Sequence, residues 1–519
     1  MSRLRVGVLL AGESIPLWVR RMLEKIQALP QVGIEAALLL PQNPVANTRF
    51  DRYFNLDRRL FHPAAAPWQV ASLPDLPLLH GSMGEHLVQL GSLRLDILIN
   101  LALPDPSGEL PSLARFGVWT LRDGRSRLIA GSRAGWRELF EDEPLTVCEL
   151  EILRKGAPAQ IVARAVLATD PQSVSRNQLR LLWRASSLVP RTLQELALRG
   201  EKDFFASGET VAQNVEAPLP TMGQLGLLGL KQAVHKLTDT VRKRLTVDQW
   251  RLMSAPLAAG EPLDWRKFTP IRLPRDRSWA DPFIVENDGR LHIFLEEYPL
   301  ATKRGHITCL MLDENGKIAT RTPVLERPYH LSYPFVFERW GEWYMIPETS
   351  GNRTVEIYRC TCFPSEWVFE KTLLKDIHAV DATLLEHAGR WWMFANVVEE
   401  QGSSAWDSLH LFYSDDPLSE NWIPHPLNPI VSDVRSARPA GRIFLRDGML
   451  YRPSQVSVPR YGYALRLNRI DRLTSTEYAE TSVKTLVPPR GRNILATHTF
   501  NTLGDLAVID VQSRHIRLS

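Results

Sequence analysis

Polar residues recur at fixed distances from glycines that repeat along the second half of the chain. The glycines are Gly289, Gly341, Gly389, Gly448 and Gly504, each between two apolar, aromatic-rich segments. Seven residues after the first four, and at the equivalent point of the shorter fifth copy, stand Glu296, Glu348, Asn396, Gln455 and Asp510. Eight residues before the first three stand Asp281, Tyr333 and Asp381, and near the same point of the other two copies stand Arg438 and His498. We expect these equivalent positions to face one pocket.

Such a set of side chains suits chemistry on a sugar. Carboxyl groups on either side of a glycosidic bond act as acid and base, provided that one stays protonated near neutral pH, which clustered negative charges favour. The sequence therefore predicts Asp281, Glu348 and Asp381 as catalytic residues. The substrate-binding candidates are Glu296, Tyr333, Asn396, Arg435, Arg438, Gln455 and His498.

The same residues also predict binding without catalysis. Carboxylates accept hydrogen bonds from sugar hydroxyls, and arginines pair with phosphate or carboxylate groups. Arg435, Arg438 and Arg442 lie in or beside the segment SARPAGR, which favours an anionic ligand such as a sugar phosphate, a nucleotide sugar or a uronic acid. Structural roles stay open as well, because an Asp before Pro, as at Asp281, is common where a strand or turn starts.

The glycine repeat itself predicts the architecture that positions these residues. Each copy reads as a strand, a glycine turn and a second strand, followed by one or two more strands, as in DPFIVENDGRLHIFL and GHITCLML. Three to four strands per repeat of about 50 residues, five times over, are typical of a five-bladed β-propeller. We place this propeller at residues 266–519.

Specific segments of this region resemble a known family. WADPF, HLSYPFVFE, YMIPET, FPSEW, VDATL, RWWMF and SDVRSARPAGRIF resemble the propeller at the N-terminus of glucosamine inositolphosphorylceramide transferases. In the plant enzymes a separate domain, further along the chain, transfers the sugar, and we identify no counterpart of it here. The resemblance thus implies a glycan or sugar-nucleotide context without naming a reaction.

The acidic residues are also similar to those of five-bladed family 43 glycoside hydrolases. That resemblance implies a general base at Asp281, in ADPF, and a residue that tunes the pKa of the acid at Asp381, in VDATL. In that family the general acid is a Glu on blade four, whereas this sequence has Arg438 and Gln455 there. This departure puts ordinary hydrolysis in doubt unless Glu348 substitutes.

The first 200 residues alternate between strand and helix patterns. The apolar runs RVGVLLA, IEAALLL, LDILINLAL and GVWTL predict buried parallel strands, which indicates an α/β, Rossmann-like domain over residues 1–200. A helical tract over residues 173–199 is expected to break at Pro190.

DILINLALP, FGVWTL and GWRELFEDEPLTVCELEIL resemble the formyltransferase family. Its catalytic Asn, His and Asp fall on Thr120, Arg122 and near Lys155, which cannot supply that chemistry. The resemblance therefore implies a formyltransferase-type fold whose formyl chemistry is lost.

Residues 201–265 read as a helical linker whose far end is basic. Its stretch 225–245 permits contact with an anionic membrane surface, but we favour a connecting helix with a solvated basic face.

The net charge of +4 argues against nucleic acid as a partner. Four cysteines without metal-ligand spacing argue against a structural zinc site. A metal among the channel carboxylates stays open, although no ligand spacing requires one, and no metal ligand or cofactor is identified. The few cysteines, and a short apolar N-terminal run that ends at Glu13, favour a cytoplasmic protein.

Three functional hypotheses remain open from the residues. The first is a carbohydrate-active enzyme, transferring or cleaving a glycosyl unit in surface-glycan or glycolipid biosynthesis. The second is a non-catalytic sugar-binding or scaffold protein with a degenerate formyltransferase fold. The third is a formyl or acyl transferase with a rebuilt N-terminal site.

Overall fold

The computed structural model describes residues 3–41, 49–61, 66–79, 83–129, 134–206, 208–211, 220–257, 264–313, 316–491 and 493–517. Two compact units divide the chain, residues 1–238 with 400–403 and residues 239–399 with 404–519. Within the described ranges, no helix combines the length and the apolar character that a membrane span needs.

The first unit is built from helices and one large sheet. Its strands are β1 Leu4–Ala11, β2 Ser14–Pro16, β3 Val32–Leu40, β4 Val70–Ser72, β5 Leu78–Leu79, β6 Ile97–Asn100, β7 Val118–Arg122, β8 Leu145–Leu153, β9 Gln160–Ala168 and β10 Glu209–Thr210. Its helices are α1 Leu17–Gln27, α2 Arg49–Phe61, α3 Met83–Ser92, α4 Arg137–Phe140, α5 Val174–Arg199, α6 Glu201–Ala206 and α7 Met222–Leu245, the last of which continues past residue 238, and a 3₁₀ turn covers Leu110–Ser112.

The large sheet has the strand order β10-β9-β8-β7-β6-β1-β3-β5. The five strands from β7 to β5 run parallel, and β8, β9 and β10 add antiparallel neighbours. Strand β1 is apolar on both faces because Val6, Val8 and Leu10 pack with residues of α1 and α5, whereas Leu9 packs with Leu90 of α3. The predicted α/β organisation is therefore present, while the finer assignment to a formyltransferase-type fold stays a prediction.

Helix α5 differs from its prediction. It runs unbroken from Val174 to Arg199 with Pro190 inside it, so the expected break is wrong. Pro190 is buried together with Leu188, Val189 and Leu193, and all four lie on a helix whose apolar side packs in the main core. Burial of this side offsets the one backbone hydrogen bond that proline removes.

The N-terminus of α5 is closed by side chains. The Ser173 hydroxyl accepts a hydrogen bond from the Arg176 amide at 3.2 Å and donates one to the Asp57 carboxylate at 2.8 Å. We expect Ser173→Ala to lower the free energy of unfolding by about 1 kcal/mol, because it removes the cap of a buried helix end. Urea unfolding measures this loss, with the exposed Ser92→Ala as the matched control. Equal stabilities of the two variants would contradict the assignment.

The second unit is a propeller of five four-stranded sheets. The strands are β11 Thr246–Pro256, β12 Thr269–Pro270, β13 Arg277–Asn287, β14 Arg290–Pro299, β15 His306–Leu312, β16 Ile318–Leu325, β17 Ser332–Arg339, β18 Glu342–Thr349, β19 Thr354–Cys362, β20 Glu366–Leu374, β21 Ala379–His387, β22 Arg390–Val397, β23 Leu409–Ser414, β24 Ile423–Pro424, β25 Phe444–Arg446, β26 Met449–Val456, β27 Ala464–Leu473, β28 Tyr478–Leu486, β29 Phe500–Leu503 and β30 Leu506–Ile516. Short 3₁₀ turns cover Trp265–Lys267 and Ser350–Asn352.

Four blades use consecutive strands, β13–β16, β17–β20, β21–β24 and β25–β28. The first strands of the blades lie innermost, since β13 contacts β17 and β29, and β17 contacts β21. The predicted glycine turns are present in all five blades, and Gly289, Gly341, Gly389, Gly448 and Gly504 all have positive φ. Aromatic strands separated by these tight turns thus form the five-bladed propeller that the repeat predicts.

The fifth blade closes the ring with strands from both ends of the unit. Its order is β12-β11-β30-β29, and β11 pairs with β30 along its full length, from Thr246 with Ile516 to Pro256 with Leu506. The sequence predicts a helical linker over 201–265 and a propeller that begins at 266, whereas the helix ends at Leu245 and the propeller begins at Thr246. The partner of β11 lies more than two hundred residues away in sequence, so local patterns do not reveal the pairing.

Candidate functional site

Three of the inner strands carry a bulge at the predicted site residue. Asp281, Tyr333 and Asp381 have left-handed φ angles of 51°, 44° and 55°. At each of them the pairing with the next strand skips two residues. Left-handed backbone is uncommon for residues other than glycine, and such bulges re-aim side chains, often at functional sites. The same bulge recurs in three blades, and it turns the side chains of Asp281 and Asp381 toward the channel end.

The polar residues of the second strands lie opposite these bulges. Ala280 pairs with Glu296, Ser332 with Glu348, and Val380 with Asn396. The positions eight residues before the repeat glycines and those seven residues after them are thus close neighbours across paired antiparallel strands. This register brings them to the same end of the propeller channel.

The polar side chains at this end of the channel form a cluster of two networks, and an ion pair between Arg438 and Asp381 holds the first of them. Arg438 donates through Nε to Asp381 Oδ2 at 2.6 Å and through Nη2 to Oδ1 at 3.3 Å. Gln455 Nε2 donates to the same Asp381 Oδ2 at 3.2 Å, and Glu348 Oε2 lies 3.7 Å from Arg438 Nη2. Asp381 is 1% exposed, so this pair is a buried one. Residues from blades two, three and four therefore meet here, as the repeat predicts.

A second network holds Asp281. Its Oδ1 accepts a hydrogen bond from Thr499 Oγ1 at 2.7 Å, and its Oδ2 accepts one from the Tyr333 amide at 3.3 Å. Its own amide donates to Asp510 Oδ2 at 3.0 Å. His498 Nδ1 lies 2.6 Å from Asp510 Oδ2, and His498 Nε2 lies 3.9 Å from Asp281 Oδ1. Asp510 thus orients the His498 ring so that its second nitrogen faces Asp281.

Aromatic residues enclose the two networks. Trp250 stacks on the His498 ring with centroids 4.0 Å apart, and Tyr461 meets the same ring edge-on at 5.4 Å. The Arg438 guanidinium lies 5.0 Å from the centre of the Tyr461 ring. Trp250 and Tyr461 are absent from the sequence-based candidates because neither occupies a repeat-equivalent position. Trp250 lies on β11, inside the supposed linker.

Glu296 has a partner that sequence patterns did not reveal. His330 Nδ1 accepts the Gly305 amide at 2.9 Å, so its proton lies on Nε2, which is 3.3 Å from Glu296 Oε1. Burial lowers the pKa of His330, and the ring is therefore a neutral donor to Glu296.

The carboxyl groups of the cluster perturb one another. Burial raises the pKa of Asp281 to about 6, and the nearby charges of Asp381 and Asp510 add to the rise while His498 opposes it. Burial raises the pKa of Asp381 to about 7 against the opposing effect of Arg438. Burial also raises the pKa of Glu296 well above its ordinary value, and Asp281 and Glu348 raise it further. Burial lowers the pKa of His498, but Asp510 and Asp281 outweigh it and the net shift is upward.

The raised pKa of Asp281 predicts how stability depends on pH. Between about pH 4 and pH 6 the folded state holds a proton on Asp281 that the unfolded chain releases, so stability falls as pH rises through this window. We expect the wild type to lose stability relative to Asp281→Asn with a slope on the order of 1 kcal/mol per pH unit. Urea unfolding from pH 4 to pH 7 measures the difference. Asp288 is an exposed residue of the same blade that also has a left-handed backbone, and the control variant Asp288→Asn should keep the wild-type slope. Parallel profiles for the wild type and Asp281→Asn would contradict the assignment.

Three predicted binding residues lie elsewhere or are already engaged. Tyr333 is fully buried, and its phenol contacts Thr383 Oγ1 at 2.9 Å and accepts the Gly441 amide at 2.7 Å, so its side chain supports the core. Asn396 is 0% exposed and donates to the Ala405 carbonyl at 3.0 Å. Arg435 pairs with Asp433 two residues before it, at 2.6 Å.

Arg442 points away from the cluster. It lines an apolar cavity of about 470 Å³ toward the other end of the inner strands, together with Phe335, Leu384 and Ile443. Its guanidinium donates to the Val336 carbonyl, and burial lowers its pKa to about 10. The three arginines expected to favour an anionic ligand thus engage three different partners, which weakens that expectation.

The structure also brings together a set of possible metal ligands. Asp281, His498 and Asp510 each offer one ligand atom, and these atoms lie within 4.8 Å of one another. No ligand spacing in the sequence indicates this set, because the three residues are far apart along the chain. A cation bound by all three would compete with the hydrogen bond between His498 and Asp510.

The N-terminal positions that match formyltransferase catalytic residues have structural partners. Arg122 is 3% exposed and pairs through Nη1 with the buried Glu151 at 3.1 Å, and Arg127 binds the other Glu151 oxygen at 2.9 Å. Thr120 is fully buried beside Asn100, and Lys155 is exposed in the turn after β8. These contacts give Thr120 and Arg122 structural roles within the sheet. The formyl- or acyl-transferase alternative stays a prediction, which a folate-binding measurement on the full chain would test.

Comparison with known proteins finds similarity in the propeller. Residues 274–505 match the family model described as glucosamine inositolphosphorylceramide transferase 1, N-terminal. The transferase of that name from Oryza sativa subsp. japonica is 36% identical over 219 residues, which are 41% of this chain and 29% of the relative. The one from Arabidopsis thaliana is 36% identical over 244 residues, 46% of this chain and 31% of the relative.

Solved structures show much weaker similarity. A family 117 glycoside hydrolase of the marine bacterium Zobellia galactanivorans is 11% identical, with a TM-score of 0.33, over 51% of this chain and 91% of that one. An α-L-arabinanase of Cellvibrio cellulosa, complexed with arabinohexaose, is 13% identical with a TM-score of 0.33, over 46% of this chain and 90% of that one. Both scores are too low to support an inference about activity. The propeller is thus similar in sequence to the N-terminal part of the transferases, and the chain spans less than a third of the length of these curated relatives.

Proposed function

We propose that the propeller acts on a glycosyl unit in glycolipid or surface-glycan biosynthesis, at the acidic end of its channel. The observation that carries this proposal is the meeting of Asp281, Glu296, Glu348 and Asp381 from three successive blades, with Arg438 and His498 among them. Similarity to proteins named as glucosamine inositolphosphorylceramide transferases supports a carbohydrate context.

Within this cluster the acid and base roles follow from the different environments of the carboxyl groups. Asp281, with a pKa of about 6, is mostly ionised at neutral pH and can accept a proton from an attacking hydroxyl or water. Burial raises the pKa of Glu296 well above its ordinary value, which favours Glu296 as the group that gives a proton to the leaving oxygen. Two carboxyl groups whose environments push their pKa values apart form the acid and base pair of a reaction at a glycosidic bond. Asp381, bound to Arg438, is then a substrate-orienting residue rather than the acid or base.

We further propose that the glycosyl unit carries a free amine. Carboxyl groups outnumber the cations in the cluster, and Arg438 and His498 are already bound to Asp381 and Asp510. An ammonium group is the complement of such a site, whereas a phosphate would meet repulsion from the remaining carboxylates. Glucosamine, named in the description of the relatives, fits this chemistry.

Binding without turnover is the second candidate function. The family match covers the N-terminal part of relatives that are more than three times as long as the matched segment, so their transfer activity need not belong to the propeller. The ion pair between Arg438 and Asp381 would serve equally well to hold a sugar hydroxyl in a binding module.

A thermal-shift panel tests the proposal on the full chain. Glucosamine is compared with N-acetylglucosamine, glucose, glucosamine 6-phosphate and nucleotide sugars, in the wild type and in Asp281→Asn. We expect glucosamine to raise the unfolding midpoint more than its acetylated or phosphorylated forms, and the variant to lose the shift. Stabilisation by the phosphorylated sugars alone would reject the amine-binding proposal, and the absence of any shift in the wild type would count against a sugar site in the channel.

A further inference from the structure

Helix α7 exposes a continuous apolar stripe on the side opposite its buried one. The buried side consists of Leu225, Leu228 and Gln232. The apolar stripe consists of six side chains, Leu227, Leu230, Val234, Leu237, Val241 and Leu245, which are between 46% and 64% exposed. They recur three or four residues apart, so they lie along one face of the helix. A surface helix with water on that side would normally carry polar residues there.

The charge of α7 is strongly positive. Five basic residues, Lys231, Lys236, Arg242, Lys243 and Arg244, accompany a single acidic one, Asp239. Lys243 and Arg242 both bind Asp239, Arg242 also binds Asp248 at 3.1 Å, and Lys231 binds Asp142 at 2.6 Å. Arg244 is exposed beside the stripe. An exposed apolar stripe on a cationic helix is the pattern of helices that lie in the plane of a membrane surface, where basic residues approach anionic headgroups.

We propose that α7 binds an anionic membrane surface with its apolar stripe inserted among the lipid headgroups. The sequence favours a connecting helix with a solvated basic face, and the exposed stripe is the observation that reverses this preference. Glycines, which weaken a helix, stand at three positions near its start, yet the helix is continuous from Met222 to Leu245. The inference does not rest on the proposed sugar site.

A second copy of the chain is a less suitable partner for the stripe. Two such helices would bring their excess basic residues together. The positions that flank the stripe, Lys231, Ala233, Thr238 and Thr240, offer no acidic residue to pair with the basic ones across an interface. Charge complementarity therefore selects the anionic bilayer.

Sedimentation of the full chain with lipid vesicles tests this proposal. We expect the wild type to partition onto vesicles of phosphatidylcholine mixed with phosphatidylglycerol, and roughly tenfold less onto phosphatidylcholine alone or at high salt. The double variant Leu230→Gln with Leu237→Gln should partition at least roughly tenfold less. Because both leucines are exposed, folding should be unaffected. Leu445→Gln, which removes an exposed leucine of the propeller, is the matched control and should bind like the wild type.

Two results would overturn the proposal. One is wild-type protein that stays in solution with the anionic vesicles, or a double variant that binds them as well as Leu445→Gln does. The other is a wild-type protein that does not bind vesicles but forms a dimer in light scattering without lipid, while the double variant is a monomer. That result would assign the stripe to a second copy. Neither readout depends on turnover, so failure here is distinct from failure of the sugar site.

Discussion

Replacing Arg438 by methionine is expected to lower the free energy of unfolding by about 3 kcal/mol at pH 9, because the variant leaves a buried carboxylate without its counter-charge. Asp381 is 1% exposed, and Arg438 supplies two hydrogen bonds to it as well as the positive charge. Glu348, 3.7 Å from Arg438 in the wild type, would add repulsion once the cation is gone. Urea unfolding followed by tryptophan fluorescence measures the loss.

Two comparisons make this expectation specific. Arg435→Met breaks an ion pair with Asp433 that is partly exposed, and it should cost less than about 1 kcal/mol. For Arg438→Met the loss should shrink at pH 7, since without Arg438 the pKa of Asp381 rises above about 7 and the carboxyl takes up a proton in place of the lost cation. An Arg438→Met variant as stable as Arg435→Met at pH 9 would contradict the buried ion pair.

Exchanging Asp281 for asparagine is expected to lower turnover of a glycosyl substrate by about a thousandfold, the usual range for loss of a general base. Asparagine has the same shape, tolerates the left-handed backbone at φ 51° and can still accept the hydrogen bond from Thr499. The fold should therefore survive, and the loss should appear in kcat rather than in the unfolding midpoint. Initial rates with an amino-sugar glycoside or glycolipid as substrate measure it.

The matched control is Asp288→Asn, which makes the same change at an exposed, left-handed Asp seven residues away on the same blade. It should retain wild-type turnover. If Asp281→Asn keeps wild-type turnover, Asp281 is not the base. Saturable sugar binding by a wild type that shows no turnover would instead support the binding alternative.

The sequence predicts the propeller well because its signals are local. Each glycine turn joins two strands that are adjacent in the chain, so the turn and its aromatic strands appear within about fifteen residues of one another. The closing strand β11 was missed because its partner β30 lies at the far end of the chain. Pairing of this kind is set by ring closure and not by a local pattern.

The candidate site is predicted in part for a related reason. Asp281, Asp381 and Glu348 come from repeat-equivalent positions, and the structure brings them together with Arg438, Gln455 and His498. Tyr333 occupies an equivalent position too, but its large ring turns into the core and only its amide reaches Asp281. Trp250, His330 and Tyr461 come from loops or from the closing strand, where the repeat carries no signal.

Calorimetric titration of glucosamine into the wild type, Asp281→Asn and Asp288→Asn tests the central claim most directly, because it asks whether the channel carboxylates hold a glycosyl ligand. We expect saturable binding to the wild type and to Asp288→Asn, and at least roughly tenfold weaker binding to Asp281→Asn, which loses one charge-assisted contact. Equal affinity of all three proteins for glucosamine would contradict a sugar site at the acidic end of the channel.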